Sequence, residues 1–124
     1  MIVKRLKEEC KDSIEIIALG TNAAATSAMM KTRANKGATG ENAIIWNSSR
    51  VDLLAGTLSI VLPDAMLGEL TPATASAVVS ASALKILLPL NQEGVSLVGL
   101  SQEPLPHMIE QLVLKIRERA HVRD

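Results

Sequence analysis

Short, mostly apolar runs alternate along the chain with amphipathic stretches, and this alternation sets the expected fold class. Residues 2–11 place Val3, Leu6 and Cys10 on one stripe at i, i+3, i+7, with Lys4, Arg5, Lys7, Glu8 and Glu9 elsewhere, which is the pattern of a surface helix. Asp12 and Ser13 break it. Ile14 to Leu19 is an Ile-rich run too brief for a helix and closed by Gly20, so it reads as a buried strand. Thr21 follows as an N-cap to a helix over 23–33 with Ala25, Ala28, Met29 and Thr32 on one side.

Asn35 to Gly40 contains two glycines and reads as a loop, after which Gly40 to Ser49 is expected to be a helix carrying Ile44, Ile45 and Ser48, with Ile44-Ile45-Trp46 as a competing strand. Strands are expected at 51–55, closed by Gly56, at 84–90, ending in Asn91, and at 95–100. Residues 58–62 read as strand or irregular core. Thr71 as N-cap and Pro72 at the first helical position open an Ala-rich helix to about Ser82. Beyond Pro104 and Pro106, Ile109, Leu112, Val113 and Ile116 form a helical stripe, and Arg117 and Arg119 sit in the closing turn, where they favour the negative helix end.

Strands that are apolar throughout and alternate with helices need helices on both faces, hence a mostly parallel sheet. The expectation is one α/β domain over residues 1–124, a three-layer sandwich of Rossmann-like or flavodoxin-like type. The chain opens on a helix with no strand in front of it, so the first strand of such a fold is expected to be missing.

Composition narrows this picture. At 124 residues the chain can hold one domain with roughly 6,400 Å² of folded surface. The hydrophobic fraction is 48%, yet Trp46 is the only aromatic residue, so the core must be aliphatic. Thirteen basic and thirteen acidic residues cancel, which argues against a nucleic-acid binder held by a basic face. A single Cys10 excludes an internal disulfide framework and a cysteine-rich zinc site, and it fits a reducing compartment. Without an apolar run of about 18 residues or a signal core, the chain reads as cytoplasmic, with no membrane partner.

In open parallel sheets, ligands sit beyond the carboxyl ends of the strands. That rule selects Gly20, Thr21 and Asn22 after one strand, Gly56-Thr57 after another, Asn91 after a third, and Ser101 after the last. Thr21 at a helix head can hold an anionic group or simply cap the helix. Gly40, Glu41 and Asn42 put a carboxylate and an amide on a flexible turn, where Glu41 can bind a hydroxyl or ammonium group, act as a general base, or merely favour the helix dipole. Glu69 and Thr71 carry the same ambiguity, and Asn91 is either a strand-end reader or a turn former. His107 and His121 have no second ligand at metal spacing, and no G-x-S-x-G elbow supports a hydrolase triad.

Four blocks in order, Ala18-Leu19-Gly20-Thr21-Asn22, Gly37-Ala38-Thr39-Gly40-Glu41-Asn42-Ala43-Ile44, Met66-Leu67-Gly68-Glu69 with Thr71-Pro72-Ala73, and Leu88-Pro89-Leu90-Asn91, resemble a family of short bacterial proteins, found largely in anaerobic Firmicutes and known only as a domain of unknown function. The resemblance runs from Val3 to about Ala120. It implies a further leading strand and glycine-rich turn, similar to a dinucleotide-binding opening, ahead of the helix at 2–11. This sequence lacks that segment, so no fingerprint glycine can be assigned. A lost central strand would leave unpaired backbone groups, and marginal stability, a rearranged sheet or oligomerisation is expected.

The leading expectation is therefore a small-ligand-binding α/β protein, with a nucleotide or phosphorylated metabolite at the carboxyl edge of the sheet. Catalysis and cofactor are left open. The alternative is a non-catalytic homo-oligomeric or protein-interaction module.

Overall fold

Val3, Leu6 and Cys10, the apolar stripe of the first ten residues, are all buried on helix α1 (Ile2–Cys10). Their counterparts Ile109, Leu112, Val113 and Ile116 are likewise buried on the last helix, α5 (Leu105–Arg119). The computed structural model describes residues 1–90, 92, 94–100 and 103–120. Between α1 and α5 the chain forms β1 (Ile17–Gly20), α2 (Ala23–Lys31), β2 (Lys36–Thr39), α3 (Glu41–Ser48), β3 (Leu53–Thr57), α4 (Pro72–Ser80) and β4 (Leu84–Leu88). Short 3₁₀ turns occupy Lys11–Ser13 and Leu58–Val61.

Two apolar clusters hold these elements in three layers. One gathers the stripes of α1 and α5 with Ile16, Ala18 and Leu88, and Met29, Leu53 and Ile86 pack against it. The other gathers Ile44 of α3, Leu54 of β3, Val78 of α4 and Ala83, with Leu19 against it. Successive strand residues point to opposite faces, so Ala18 and Leu19 of β1, like Leu53 and Leu54 of β3, enter different clusters. The protein is an α/β sandwich with α1 and α5 on one side and α3 and α4 on the other.

The middle layer differs from one continuous sheet. β1 pairs in parallel with β2, from Ile17 opposite Lys36 to Gly20 opposite Thr39, and β3 pairs in parallel with β4, from Leu53 opposite Leu84 to Thr57 opposite Leu88. The result is two two-stranded sheets in one layer. Residues 36–39, expected in a loop, are instead a strand, recruited by its neighbour rather than by its own composition. The absence of a side chain at Gly37 lets Met30 of α2 lie close against this strand, since a Cβ there would come within 2.8 Å of Met30 Sδ.

The strand expected at 95–100 is absent, and residues 58–62, read as strand or irregular core, are not a strand. Residues 58–61 form a 3₁₀ turn with Ser59 buried, and residues 95–100 contribute only an isolated antiparallel bridge between Val95 and Gln92. Gly94 and Gly99 both take positive φ, which interrupts extended backbone, and Val98 is fully exposed, so no burial holds that segment straight. The expected inward face of α2 is also corrected: Thr26, not Ala28, is the buried residue.

Candidate functional site

The strand-end turns build one polar rim. β1 stops at Gly20, where a Cβ would lie 2.2 Å from Thr26 Oγ1 and 2.7 Å from Thr26 N, so only glycine lets the first turn of α2 fold back this closely. Thr21 was expected to cap α2, but the cap is Asn22: its Oδ1 accepts from Ala25 N at 2.8 Å. The chain needs one more residue to turn from strand into helix, and Asn is the stronger cap of the two.

Both residues are then engaged by a carboxylate from far along the chain. Thr21 Oγ1 donates to Glu69 Oε1 at 2.8 Å, and Asn22 Nδ2 donates to the same oxygen at 2.5 Å. Glu69 reaches them from a tightly folded loop between β3 and α4. Asp64 N donates to Leu70 O at 2.8 Å, Leu70 N to Ala65 O at 3.1 Å, and Leu70 itself is 2% exposed, anchoring the loop. Asp64, Met66 and Leu67 all take left-handed φ, a costly conformation for residues other than glycine. The Asn22 amide, and after it the Thr21 hydroxyl, hold the Glu69 carboxyl below its ordinary pKa range against a small desolvation effect.

A second carboxylate is held two residues further on. Thr71 Oγ1 donates to Glu41 Oε1 at 2.7 Å and accepts from Thr74 N at 3.1 Å. The Thr71 hydroxyl has one proton, already given to an acceptor-only carboxylate, so in its 2.9 Å contact with Thr74 the Thr74 hydroxyl is the donor. Glu41 opens α3 behind Gly40, whose φ of 99° makes the turn out of β2. Gly40 N donates to Gly20 O at 2.9 Å and ties the ends of β1 and β2 together.

Seven of the nine sequence-predicted residues, Gly20, Thr21, Asn22, Gly40, Glu41, Glu69 and Thr71, thus meet along one rim formed by the heads of α2, α3 and α4. Asn42 stands exposed beside them in the first turn of α3, outside this network. Asn91 lies outside the described residues, as do Ser101 and His121. Among the described residues, the second oxygen, Oε2, of Glu41 and of Glu69 accepts no hydrogen bond.

Of the hydroxyls behind the rim, Thr57 is selected by sequence as a strand-end residue, whereas the sequence reading gives no site role to Thr26, Ser59 and Thr74. Thr39 Oγ1 donates to Thr26 Oγ1 at 2.8 Å, Thr74 supports Thr71, and Thr57 and Ser59 are hydrogen-bonded at the end of β3. Thr39, Thr57 and Ser59 lie at or just beyond a strand end, and Thr26 and Thr74 lie in the first turn of a helix that opens the rim. A cleft of about 230 Å³ opens elsewhere, between β4 and α5, lined by Leu88, Met108, Gln111 and Lys115 among others. It shares no residue with the rim.

Cys10 is buried and desolvation raises its thiol pKa, as expected of an inert core residue. Among the described residues, no three His, Cys, Asp or Glu side chains gather in a way that could hold a metal ion. No helix among them is long and apolar enough to cross a membrane.

The model of a family described as a domain of unknown function, DUF3842, matches residues 1–121, and the chain belongs to that family. No curated protein and no solved structure matches it.

Proposed function

We propose that this DUF3842 member binds a small ligand at the carboxyl rim, with Glu41 and Glu69 accepting hydrogen bonds from its hydroxyl or ammonium groups. The observation that carries the reading is the convergence of two carboxylates from distant segments. Each is fixed through one oxygen by Thr or Asn donors, and among the described residues the other oxygen takes no donor. Positioned acceptors of this kind suit a ribose or other polyol, consistent with a nucleotide or phosphorylated metabolite whose sugar faces the rim. Two negative charges disfavour a phosphate lying directly on Glu41 or Glu69.

The test is a thermal-shift screen of nucleosides, nucleotides and sugar phosphates against the wild-type chain and against Glu41→Gln and Glu69→Gln. A ligand of the native state raises the melting temperature in proportion to its occupancy. The reading expects a shift in the wild type that both variants reduce. A screen with no shift at all overturns it.

A homo-oligomeric or protein-interaction role is the second reading, in a bacterial cytoplasm. It is favoured by large apolar side chains left exposed, among them Trp46, Leu67 and Val98. This role predicts assembly in light scattering that rises with concentration and is insensitive to Asn22→Ala.

A further inference from the structure

We infer that the outward face of α3 is a contact between two copies of this chain, paired antiparallel about a two-fold axis that passes between Ile45 and Trp46. The inference gives the homo-oligomeric reading a surface and rests on that reading, not on a ligand at the rim.

α3 has one buried side. Ile44 and Ser48 are buried and Ala43 and Asn47 half-buried, which leaves two rows of four-residue spacing on the outer side, Glu41–Ile45–Ser49 and Asn42–Trp46–Arg50, all of them exposed. Ser49 keeps helical backbone angles as the C-cap, and Arg50 N donates to Asn47 O at 2.9 Å, so the turn carries both rows to their ends. The Arg50 guanidinium folds back over the Trp46 ring, 3.9 Å from its centroid, and Nη1 donates to Trp46 O at 2.6 Å. That contact holds the positive charge on the outward face.

The middle of the face is apolar. Trp46, the one aromatic residue of the chain, is 55% exposed, and Ile45 beside it is 36% exposed. Neighbouring large apolar side chains held out of the core mark a surface that another surface covers. Adjacent α4 extends it, because its exposed Pro72, Ala73, Ser76, Val79 and Ser80 carry no charge. The opposite outer layer differs, with Lys4, Glu8, Lys115 and Glu118 exposed on α1 and α5.

The ends of the face identify the occupant as a second copy. Glu41 and Arg50 bracket the apolar pair at opposite ends of the helix, and among the described residues neither forms an ion pair. Acid, apolar pair and base in that order are complementary to the same order reversed. A two-fold axis between Ile45 and Trp46 exchanges Glu41 with Arg50 and Asn42 with Ser49, as an isologous contact requires. In the commonest helix packing, rows of four-residue spacing interlock. The Glu41–Ile45–Ser49 row of one copy then lies between the two rows of the other, which sets Glu41 beside Arg50 at both ends and encloses Ile45 and Trp46. Parallel copies would instead oppose like charges.

The test measures assembly of the 124-residue chain by light scattering, alongside Glu41→Arg and Arg50→Glu. The wild type should form a dimer. Each variant alone opposes like charges at both ends of the contact and should raise the dissociation constant by about tenfold or more. An equimolar mixture of the two variants should recover the dimer, because every Arg then meets a Glu, and recovery shows that both variants are folded. Trp46 is the one tryptophan, so its emission should move to shorter wavelength as the wild type associates. A dimer that both variants form as tightly as the wild type, or that leaves Trp46 emission unchanged, overturns the inference while the homo-oligomeric reading stands. Variants that weaken assembly but do not recover on mixing also overturn it. A wild type that stays monomeric at all concentrations overturns both and leaves this face to a different polypeptide.

Discussion

Asn22 and Glu69, forty-seven residues apart in sequence, meet at 2.5 Å through the Asn22 amide and one carboxylate oxygen. Asn22 caps α2 with its own oxygen at the same time. One side chain therefore starts a helix and fastens the loop that follows β3. This double use separates two effects that mutation can measure.

Asn22→Ala should cost about 1 kcal/mol of unfolding free energy, the usual value of a lost N-cap. Asn22→Asp keeps the cap acceptor but removes the amide donor and sets a second carboxylate against Glu69. Denaturant unfolding should find the Asp variant closer to wild type than the Ala variant at moderate ionic strength. The opposite order would mean that the Glu69 contact, not the cap, dominates.

The Glu69 titration carries a sign that can be checked. Its pKa in the folded chain lies below the ordinary 4.5 because donors from Asn22 and Thr21 favour the carboxylate. A depressed folded pKa contributes stability that is fully present above the unfolded value and is lost as pH falls through the folded one. Glu110, lowered mainly by its hydrogen bond with Arg5 across α1 and α5, acts in the same direction. Carboxyl NMR should show Asn22→Ala raising the Glu69 midpoint while leaving that of Glu110 in place.

Gly20→Ala should destabilise by about 1–3 kcal/mol, the range for forcing atoms into a packed site. The added Cβ meets Thr26 through both its hydroxyl and its backbone nitrogen. Adding Thr26→Ala removes only the first clash, so the double variant should not regain wild-type stability. Full recovery in thermal melts would show that the hydroxyl alone enforces glycine.

Leu70→Ala tests the anchor of the Glu69 loop. Burial at 2% exposure predicts a loss of about 2–5 kcal/mol. If Leu70 is what presents Glu69 to Thr21 and Asn22, the same variant should move the Glu69 midpoint back toward 4.5. A destabilised protein with an unchanged midpoint would show that the loop holds its place without that side chain.

Cys10 provides a readout of global opening. Its thiol is 1% exposed on α1, between the α1 and α5 stripes. Labelling by a thiol reagent under native conditions should therefore follow the unfolding equilibrium, accelerating in Leu70→Ala in proportion to its lost stability. Rapid labelling of the wild type would reveal local fraying of α1.

The helical stripes were legible because a 3.6-residue period repeated over three turns is a strong signal, and every residue assigned to the stripes of α1 and α5 is buried. The rim was legible for a related reason. Gly, Thr, Asn and Glu stand out against an aliphatic chain, and parallel topology sends strand ends to one edge. β2 was not legible, since Lys-Gly-Ala-Thr has neither apolar content nor alternation and becomes a strand only by pairing with β1.

Local pattern thus determined the α/β class, the buried faces of the first and last helices and the turns that carry polar side chains, because propensity, capping and periodicity act over a few residues. Tertiary structure decided which acid meets which donor, that Asn22 rather than Thr21 caps α2, and that the strands among the described residues form two pairs instead of one sheet. Those outcomes depend on loop closure and on packing between segments tens of residues apart, and no short-range rule encodes the distance across which Glu69 finds Asn22.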